Sequence, residues 1–532
     1  MSTAPPDGLL PLLTADGMRA ADRATMDDWG VPGRVLMESA GRTTVDAIAA
    51  RYPVEGARVT VLAGRGNNGG DGLVIARVLA ARGAHVRCLT LAAEAESSAD
   101  TAASPGGDSA ANLRLLTRLA DASDRLEVVP FDDAAQAAGA PADLVVDALM
   151  GIGASGPLRE PVRGLCAWAG RQGAPVVAVD LPSGLDATTG AAADETPRAA
   201  LTVTFAGMKA GLVLGDGPQV AGEVVVAEMG IPRAEVERAA AAHRATDAWV
   251  AAHLPRRAAD AYKYSAGTAV CVVGSGHFTG AAVLSTAAAY RAGAGAVVAC
   301  TPRSARPTVD AQNVEVMVDA QPETAAGTLA WAALDGVRER AGSADAVLVG
   351  CGLGRDDETL RLVRALVRDV SAPLVLDADG FSAFAGDADA LAERSAPLVL
   401  TPHLGELRRL LGDDDFEPAD RLETVRRLSV RWGAVLVLKG MPSVVGTPDG
   451  RVVVGPPGRP ALATAGTGDV LAGTVVGLLA QGLDPADAAV CALHLGAAAA
   501  DAWARDHGAG GLVASDLLDR IPRAAAERFP RP

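Results

Sequence analysis

The chain has 532 residues, of which 49% are hydrophobic, 21% charged and only 3% aromatic. That length exceeds one ordinary core, so two or more domains are expected, and the composition excludes a disordered chain. The 48 Lys and Arg against 64 Asp and Glu leave a net charge of −16, which repels phosphate backbones; with no local basic patch, nucleic acid is excluded as a partner.

Taken in order, Met1 to Leu13 lacks a basic region ahead of a long apolar stretch and does not read as a signal peptide. Thr14–Asp27 and Arg34–Ala50 are predicted helices. Val59–Leu62, His85–Leu91, Leu144–Asp147 and Val176–Asp180 read as short buried strands, with helical spacing in Asp71–Arg82, Ser109–Ala120 and Glu160–Gln172. This alternation predicts an α/β domain with a mostly parallel sheet covered by helices. From Ile231 to about Ala245 the chain is charged and Ala-rich with no strand signal, so residues 232–250 are expected to link domains at 1–231 and 251–532.

The alternation then restarts, with strands predicted at Ala269–Val273, Ala296–Cys300, Ala346–Val349, Leu374–Asp377, Leu398–Thr401 and Val435–Lys439. Thr447-Pro448-Asp449-Gly450 is a hairpin turn signal between Ser443–Gly446 and Arg451–Val454. Two helices are expected between Asp469 and Ala504. The longest weakly polar stretch, Gly280 to Cys300, is broken by Arg291 and reads as a buried helix and strand, not a membrane span. The cysteines (Cys88, Cys166, Cys271, Cys300, Cys351, Cys491) never form a CxxC pair, which argues for no disulfide framework or zinc site and for a reducing, cytoplasmic compartment.

The first chemical signal is Gly64-Arg65-Gly66-Asn67-Asn68-Gly69-Gly70-Asp71-Gly72, between a strand and a helix. Glycines there permit positive φ and leave N–H groups uncovered at a helix start, a geometry that suits an anion. Asp147 closes a later strand ahead of Gly151-Ile152-Gly153-Ala154-Ser155-Gly156-Pro157, and Asp180 closes the next ahead of Leu181-Pro182-Ser183-Gly184. In an open α/β sheet ligands lie beyond the carboxyl ends of strands, so three such loops can share one crevice. Each Asp alone also fits a turn or cap.

At these residues, over about Thr14 to Ile231, the half resembles the NAD(P)H-hydrate epimerase family, with a Rossmann-like three-layer sheet domain. The resemblance implies substrate contacts at Asn67, Asn68, Gly69, Gly70 and Asp71, and at Gly151, Ile152, Gly153, Ala154, Ser155, Gly156 and Pro157. It implies a potassium ion (K+) held by Asn68, Asp147 and Ser183, and a substrate-binding, catalytic carboxylate in Asp180. Hard oxygen ligands without thiolate or imidazole suit such a cation, and a positioned Asp suits proton transfer near a nicotinamide-derived ring.

In the second half, Ala465-Gly466-Thr467-Gly468-Asp469 opens an apolar helix. The N–H groups there form an anion hole, and Asp469 at its edge can accept the proton of an attacking hydroxyl; the plainer reading is an N-cap, for which Thr467 and Asp469 both serve. Lys439-Gly440 ends a strand, where an ammonium would face a nucleotide phosphate. Thr401-Pro402-His403-Leu404-Gly405-Glu406, Gly350-Cys351-Gly352-Leu353-Gly354 and Asp377-Ala378-Asp379-Gly380 follow three other strands.

Together with Lys263-Tyr264-Ser265-Ala266-Gly267 and Gly274-Ser275-Gly276, from about Lys263 to Pro522, these resemble the ribokinase-like fold and, more narrowly, the nucleotide-dependent NAD(P)H-hydrate dehydratases. The discriminating pair is TPHLGE with GTGD. The resemblance implies hydrate contacts at Gly354, His403 and Asp469, with Asp469 the catalytic base. It implies a nucleotide, ADP as phosphate donor with Mg2+, held by Lys439, Gly440, Met441, Pro442 and Ser443 and by Gly466, Thr467 and Gly468. Cys351 stands where Pro is common and Thr467 where Ser is common, departures expected to leave the chemistry unthreatened.

The expected activity is repair of hydrated NADH and NADPH: epimerisation in the first half, and dehydration of the S hydrate in the second through phosphorylation and phosphate loss. Two rivals stay open: a vitamin-precursor or sugar kinase with an inactive N-terminal ligand-binding domain, and a nucleotide-sensing scaffold without turnover. The expected partners are small molecules (the hydrates, ADP or ATP), with no membrane; the residues do not fix an oligomeric state, and a homo-oligomer is the working expectation.

Overall fold

The computed structural model describes residues 8–91, 107–131, 141–153, 156–394, 396–508 and 510–530. The chain divides into two compact units, one spanning Pro11–Ala242 and the other taking the chain from His243 onward together with Gly8–Leu10. Gly8 is tied into the second unit through its carbonyl, which accepts bonds from the Thr246 amide (3.1 Å) and hydroxyl (2.8 Å).

The first unit is built on a seven-stranded sheet in the spatial order Leu126–Pro130, His85–Thr90, Arg58–Ala63, Leu144–Ala148, Val176–Val179, Leu201–Phe205 and Glu223–Ala227. All pairings in it are parallel. Successive strand residues face opposite ways, so continuous apolar runs need helices on both faces. Val59, Val61 and Ala63 pack with helices Gly33–Ala49, Asn67–Ala81 and Gly107–Ala120, whereas Leu62 and Val145 pack with helix Val162–Arg171. The result is the expected three-layer α/β domain. Arg58–Ala63, first in the sheet's chain order, lies between His85–Thr90 and Leu144–Ala148, which makes its carboxyl end the switch point where such sheets open a crevice.

In the second unit the parallel strands run Met317–Gln321, Ala296–Pro302, Thr268–Val272, Ala346–Val349, Leu374–Leu376, Leu398–Leu400 and Val435–Leu438. The expected hairpin follows as Val444–Gly446 and Val452–Val454, paired antiparallel. Its switch point is the carboxyl end of Thr268–Val272, again between two neighbours. Helices Thr279–Arg291 and Thr467–Ala480 pack along one another at backbone distance: a Cβ on Gly473 would lie 2.1 Å from the Ser285 carbonyl oxygen.

Two expectations are corrected. The segment around 231–245, read as lacking a strand, carries helix Arg233–Arg238 and strand Ala242–Ala245, which pairs parallel with Val452–Val454. Four residues are too few for a period-2 signal, and the partner lies some 200 residues away in the chain, so pairing rather than local propensity makes this strand. Also, the helix expected from Asp71 begins at Asn67. The cysteines are all free and buried, and no described helix is long and apolar enough to cross a membrane.

Candidate active sites

In the first unit, the strand Arg58–Ala63 turns through Gly64–Gly66 into a helix whose first turn holds Asn67, Asn68, Gly69, Gly70 and Asp71. None of the glycines there has the positive φ expected for this turn; they serve close approach instead. A Cβ on Gly69 would lie 1.8 Å from the Gly64 carbonyl oxygen, and one on Gly70 2.6 Å from Met37 Cε. Gly66 caps the helix without a side-chain bond, leaving its first N–H groups to a ligand.

Asn68 buries both polar atoms of its amide with no partner, and Gly151 of the second loop stands 3.3 Å from its Oδ1, measured from a built Cβ. Asp147 is fully buried and accepts bonds from the Ser183 hydroxyl (2.6 Å) and amide (2.8 Å). The Met150 amide donates to that same hydroxyl at 2.9 Å. Burial pushes the Asp147 carboxyl up, opposed by those bonds. Among the described residues no cation pairs with it. A buried carboxylate and an unpartnered amide oxygen, each set against the stretch Leu149–Gly151, are donors of a kind that fits an alkali cation.

Asp180 ends the strand Val176–Val179 at φ 67, a conformation uncommon outside glycine and concentrated at functional sites. Its carboxylate is paired with the fully buried Lys209 ammonium at 2.7 Å and accepts a bond from the Thr204 hydroxyl at 3.1 Å. Asp71 and Asp22 face this pair. Burial, then Lys209 in opposition and Asp180 in support, leaves Asp22 at about 6; burial first and then Asp180 push Asp71 well above its ordinary value. Lys209 and Asp22 were not singled out in the sequence. Gly156 and Pro157 line a cavity of about 480 Å³ with Gly184, Arg163 and Asp186. A Cβ built on Gly153 would meet nothing within 4 Å, the Ile152 carbonyl accepts a bond from Arg19 at 3.3 Å, and Ala154 and Ser155 lie outside the described residues.

In the second unit, Gly466 takes φ 88 and starts the helix Thr467–Ala480 with no side-chain cap. The Thr467 hydroxyl turns back instead, donating to the carbonyls of Leu462 (3.1 Å) and Thr464 (2.9 Å). That disposes of the capping alternative for Thr467 and leaves the amides of the turn uncovered. Burial, then the nearby Asp377 carboxylate, raises Asp469 to about 6.

Lys439 does not project freely toward a phosphate. Its ammonium is clamped between Asp377 (3.0 Å) and Glu406 (3.4 Å), and a Cβ on Gly468 would lie 3.5 Å from it. Burial works against its charge, but those carboxylates win and hold it above the usual lysine range. His403 caps helix Leu404–Leu411 in a reciprocal arrangement with Glu406, its side chain half exposed. The Gly354 amide donates to Asp379 at 3.0 Å. Gly440 and Ser443 close a turn through a 3.4 Å bond between the Gly440 amide and the Ser443 hydroxyl; Met441 between them is exposed, and Pro442 follows it.

Two groups here were given no role from the sequence, although Ser275 lies in the motif Gly274-Ser275-Gly276. Ser275 buries a hydroxyl without a partner, and Arg421 brings its guanidinium to 2.6 Å from a Cβ built on Gly440 while its buried Nε has no partner. Cys351 also matters more than expected: with Asp377 and Asp469 it brings one thiol and two carboxylates within 4.8 Å of one another. Mg2+ takes oxygen ligands, and one of these carboxylates already holds an ammonium, so this group does not fit that ion.

Residues 33–211 match a family model described as YjeF-related protein N-terminus, and residues 269–523 one described as NAD(P)H-hydrate dehydratase. The bifunctional NAD(P)H-hydrate repair enzyme Nnr of Salinibacter ruber is 47% identical over 98% of this chain and 97% of its own length. That of Moorella thermoacetica is 40% identical over 96% of each. Among solved structures, the ADP/ATP-dependent NAD(P)H-hydrate dehydratase of Bacillus subtilis, co-crystallised with ATP and Mg2+, is 31% identical over 53% of this chain and 97% of that one, with a TM-score of 0.45. With both family models on one chain and full-length relatives at this identity, the chain belongs to the family of bifunctional NAD(P)H-hydrate repair enzymes.

Proposed function

We propose that the first unit interconverts the R and S hydrates of NADH and NADPH and that the second dehydrates the S form at the expense of ADP. The observation that carries this reading is the full-length likeness to repair enzymes, in which neither half is a passenger. The kinase and scaffold alternatives account for only one half each and are not favoured.

Inverting a hydroxyl-bearing ring carbon breaks and remakes one bond there, with one proton delivered and one removed. Asp180 is the group for that proton, held in place by Lys209 and Thr204. The loops Asn67–Asp71 and Gly151–Pro157 would hold the substrate. Asn68, Asp147 and Ser183 would hold K+, which when bound supplies a fixed positive charge beside the buried Asp147.

In the second unit, Asp469 takes the proton of the hydrate's hydroxyl as that oxygen attacks the terminal phosphorus of ADP, and AMP leaves. The ring nitrogen's lone pair then expels phosphate with the C–O bonding electrons, and loss of a proton from the adjoining carbon restores the double bond. Uncovered amides at Gly466–Gly468 stabilise the transferring group. Gly354 and His403 would contact the hydrate, and Lys439–Ser443 the nucleotide, whose phosphates bring the Mg2+. The free buried thiols fit a reducing, cytoplasmic setting.

The test mixes both epimers with ADP and Mg2+ and follows NADH absorbance and the loss of each epimer. Both are consumed by the native protein. Asp469→Ala abolishes dehydration but leaves the epimers interconverting; Asp180→Ala does the reverse, with only the S form consumed. Loss of both activities in a folded single variant would overturn this division of labour.

A further inference from the structure

Asp377, Cys351, Lys439 and Asp469 in the second unit form one polar chain, in which the reading above gives roles to Lys439 and Asp469 but none to Asp377 or Cys351. Asp377 follows the strand Leu374–Leu376 and is 1% exposed. It accepts the Lys439 ammonium (3.0 Å), the Thr401 hydroxyl (2.7 Å) and the Cys351 thiol (3.7 Å). That thiol also lies against Asp469, all three donor atoms falling within 4.8 Å. The ammonium stands beside Gly468, in the turn whose amides no side chain caps. Cation and base are therefore tied to one buried carboxylate, each by a single contact or through one intermediate.

We propose that Asp377 is a positioning residue of the dehydratase: it fixes the Lys439 ammonium against the Gly466–Gly468 turn and, through the Cys351 thiol, orients the Asp469 carboxylate. This rests on the dehydratase reading of the second unit. A lysine ammonium is a point charge on a flexible stem, so its catalytic value depends on what pins it. Here the pin is a carboxylate too buried to touch solvent, and Glu406 on the other flank prevents the stem from swinging outward. A misplacement of about 1 Å in such a group costs on the order of 100-fold in rate.

The charges facing Asp469 are the carboxylates Asp377 and Asp379, the Lys439 ammonium and the Cys351 thiol, with Glu406 reaching it only through Lys439. Asp377 and the thiol act on it in opposite senses: the carboxylate repels its negative form, and the thiol, whose one proton lies between the two carboxylates, favours that form. A positioning role thus has a signature that loss of structure lacks.

The experiment measures dehydration rate against pH for the native enzyme, Asp377→Asn and Cys351→Ala, with melting temperature as a control. In Asp377→Asn, kcat falls about 100-fold with a smaller change in nucleotide KM. Its acid limb of kcat/KM moves to lower pH. In Cys351→Ala, which removes no formal charge, the limb moves to higher pH and kcat falls less. Unmoved limbs in both folded variants, with rates lowered only as far as stability is, would make Asp377 merely structural and overturn the proposal. Should Asp377→Asn fail to fold, Cys351→Ala decides alone: an upward limb supports the proposal, an unmoved one overturns it. Absence of turnover in the native enzyme would instead sink the dehydratase reading itself.

Discussion

A carboxylate serves as a base only while ionised, so with Asp469 as the proposed base its surroundings set the pH range of the reaction. Burial first and then Asp377 raise it to about 6, with the Cys351 thiol and Lys439 acting the other way. Below that value the protonated form predominates and cannot accept the hydroxyl proton; above it the base is available. Dehydration kcat/KM is therefore expected to rise with unit slope up to about pH 6 and to level off beyond it. A stopped pH series on the native enzyme checks this, and a profile flat across that range would remove Asp469 as the base. At this scale the sequence disclosed acids better than cations. Asp180 and Asp469 are marked by glycine-rich loops next to them, whereas Lys209 and Arg421 are marked by nothing local. Lys209 meets Asp180 and Arg421 meets Gly440 only through the tertiary fold. Cys351 was legible as a departure from the family but not in its consequence, because its contact with Asp377 joins two strand ends.

Between residue and molecule, the glycine-rich turn is where element packing and chemistry share a constraint. The first turn of helix Asn67–Ala81 runs so close under the Gly64 carbonyl that a methyl group at Gly69 would sit 1.8 Å from its oxygen. Backbone cannot yield as a flexible side chain would. Gly69→Ala is expected to cost about 3 kcal/mol or more by overpacking, and to displace Asn68 and Asp71, abolishing epimerisation while dehydration survives. Gly170, on the exposed face of helix Val162–Arg171, is the control: a Cβ there meets nothing within 4 Å, so Gly170→Ala gains up to about 1 kcal/mol from helix propensity. Melting temperatures of the two variants moving in the same direction would refute the steric account. The same distinction explains which elements could be read ahead. Leu144–Val146 and Val435–Leu438 announce themselves by apolar runs buried on both faces. Ala242–Ala245 holds His243 and Arg244 at its centre and becomes a strand only by pairing with Val452–Val454. The turn's glycines were readable as a feature, but the positive φ expected of them is not there, because composition cannot tell a left-handed φ from a close approach.

For the whole molecule, ligands separate the two units more cleanly than mutations do, since a ligand stabilises only the structure that builds its site. The side-chain amide of Asn68 makes no hydrogen bond, so replacing it removes a ligand atom without breaking any hydrogen bond of the folded chain. Asp147, by contrast, accepts bonds from Ser183 and Leu149, and its loss would confound binding with stability. Asn68→Ala is thus the informative change. Potassium added to K+-free protein at about 100 times its Kd contributes about 2.7 kcal/mol, which for a unit of this size raises the melting temperature by roughly 5–10 °C. Lithium, smaller and more strongly hydrated than potassium, is expected to raise it less. Asn68→Ala is expected to melt near the K+-free native protein, to lose the response to potassium and to keep the response to ADP, whose proposed site is the Gly466–Gly468 turn of the other unit. If Asn68→Ala still responds fully to potassium, the ion sits elsewhere and the unpartnered amide belongs to the substrate. If native protein and variant alike ignore potassium, the buried Asp147 carries its charge without a cation, and the ion has no part in the epimerase.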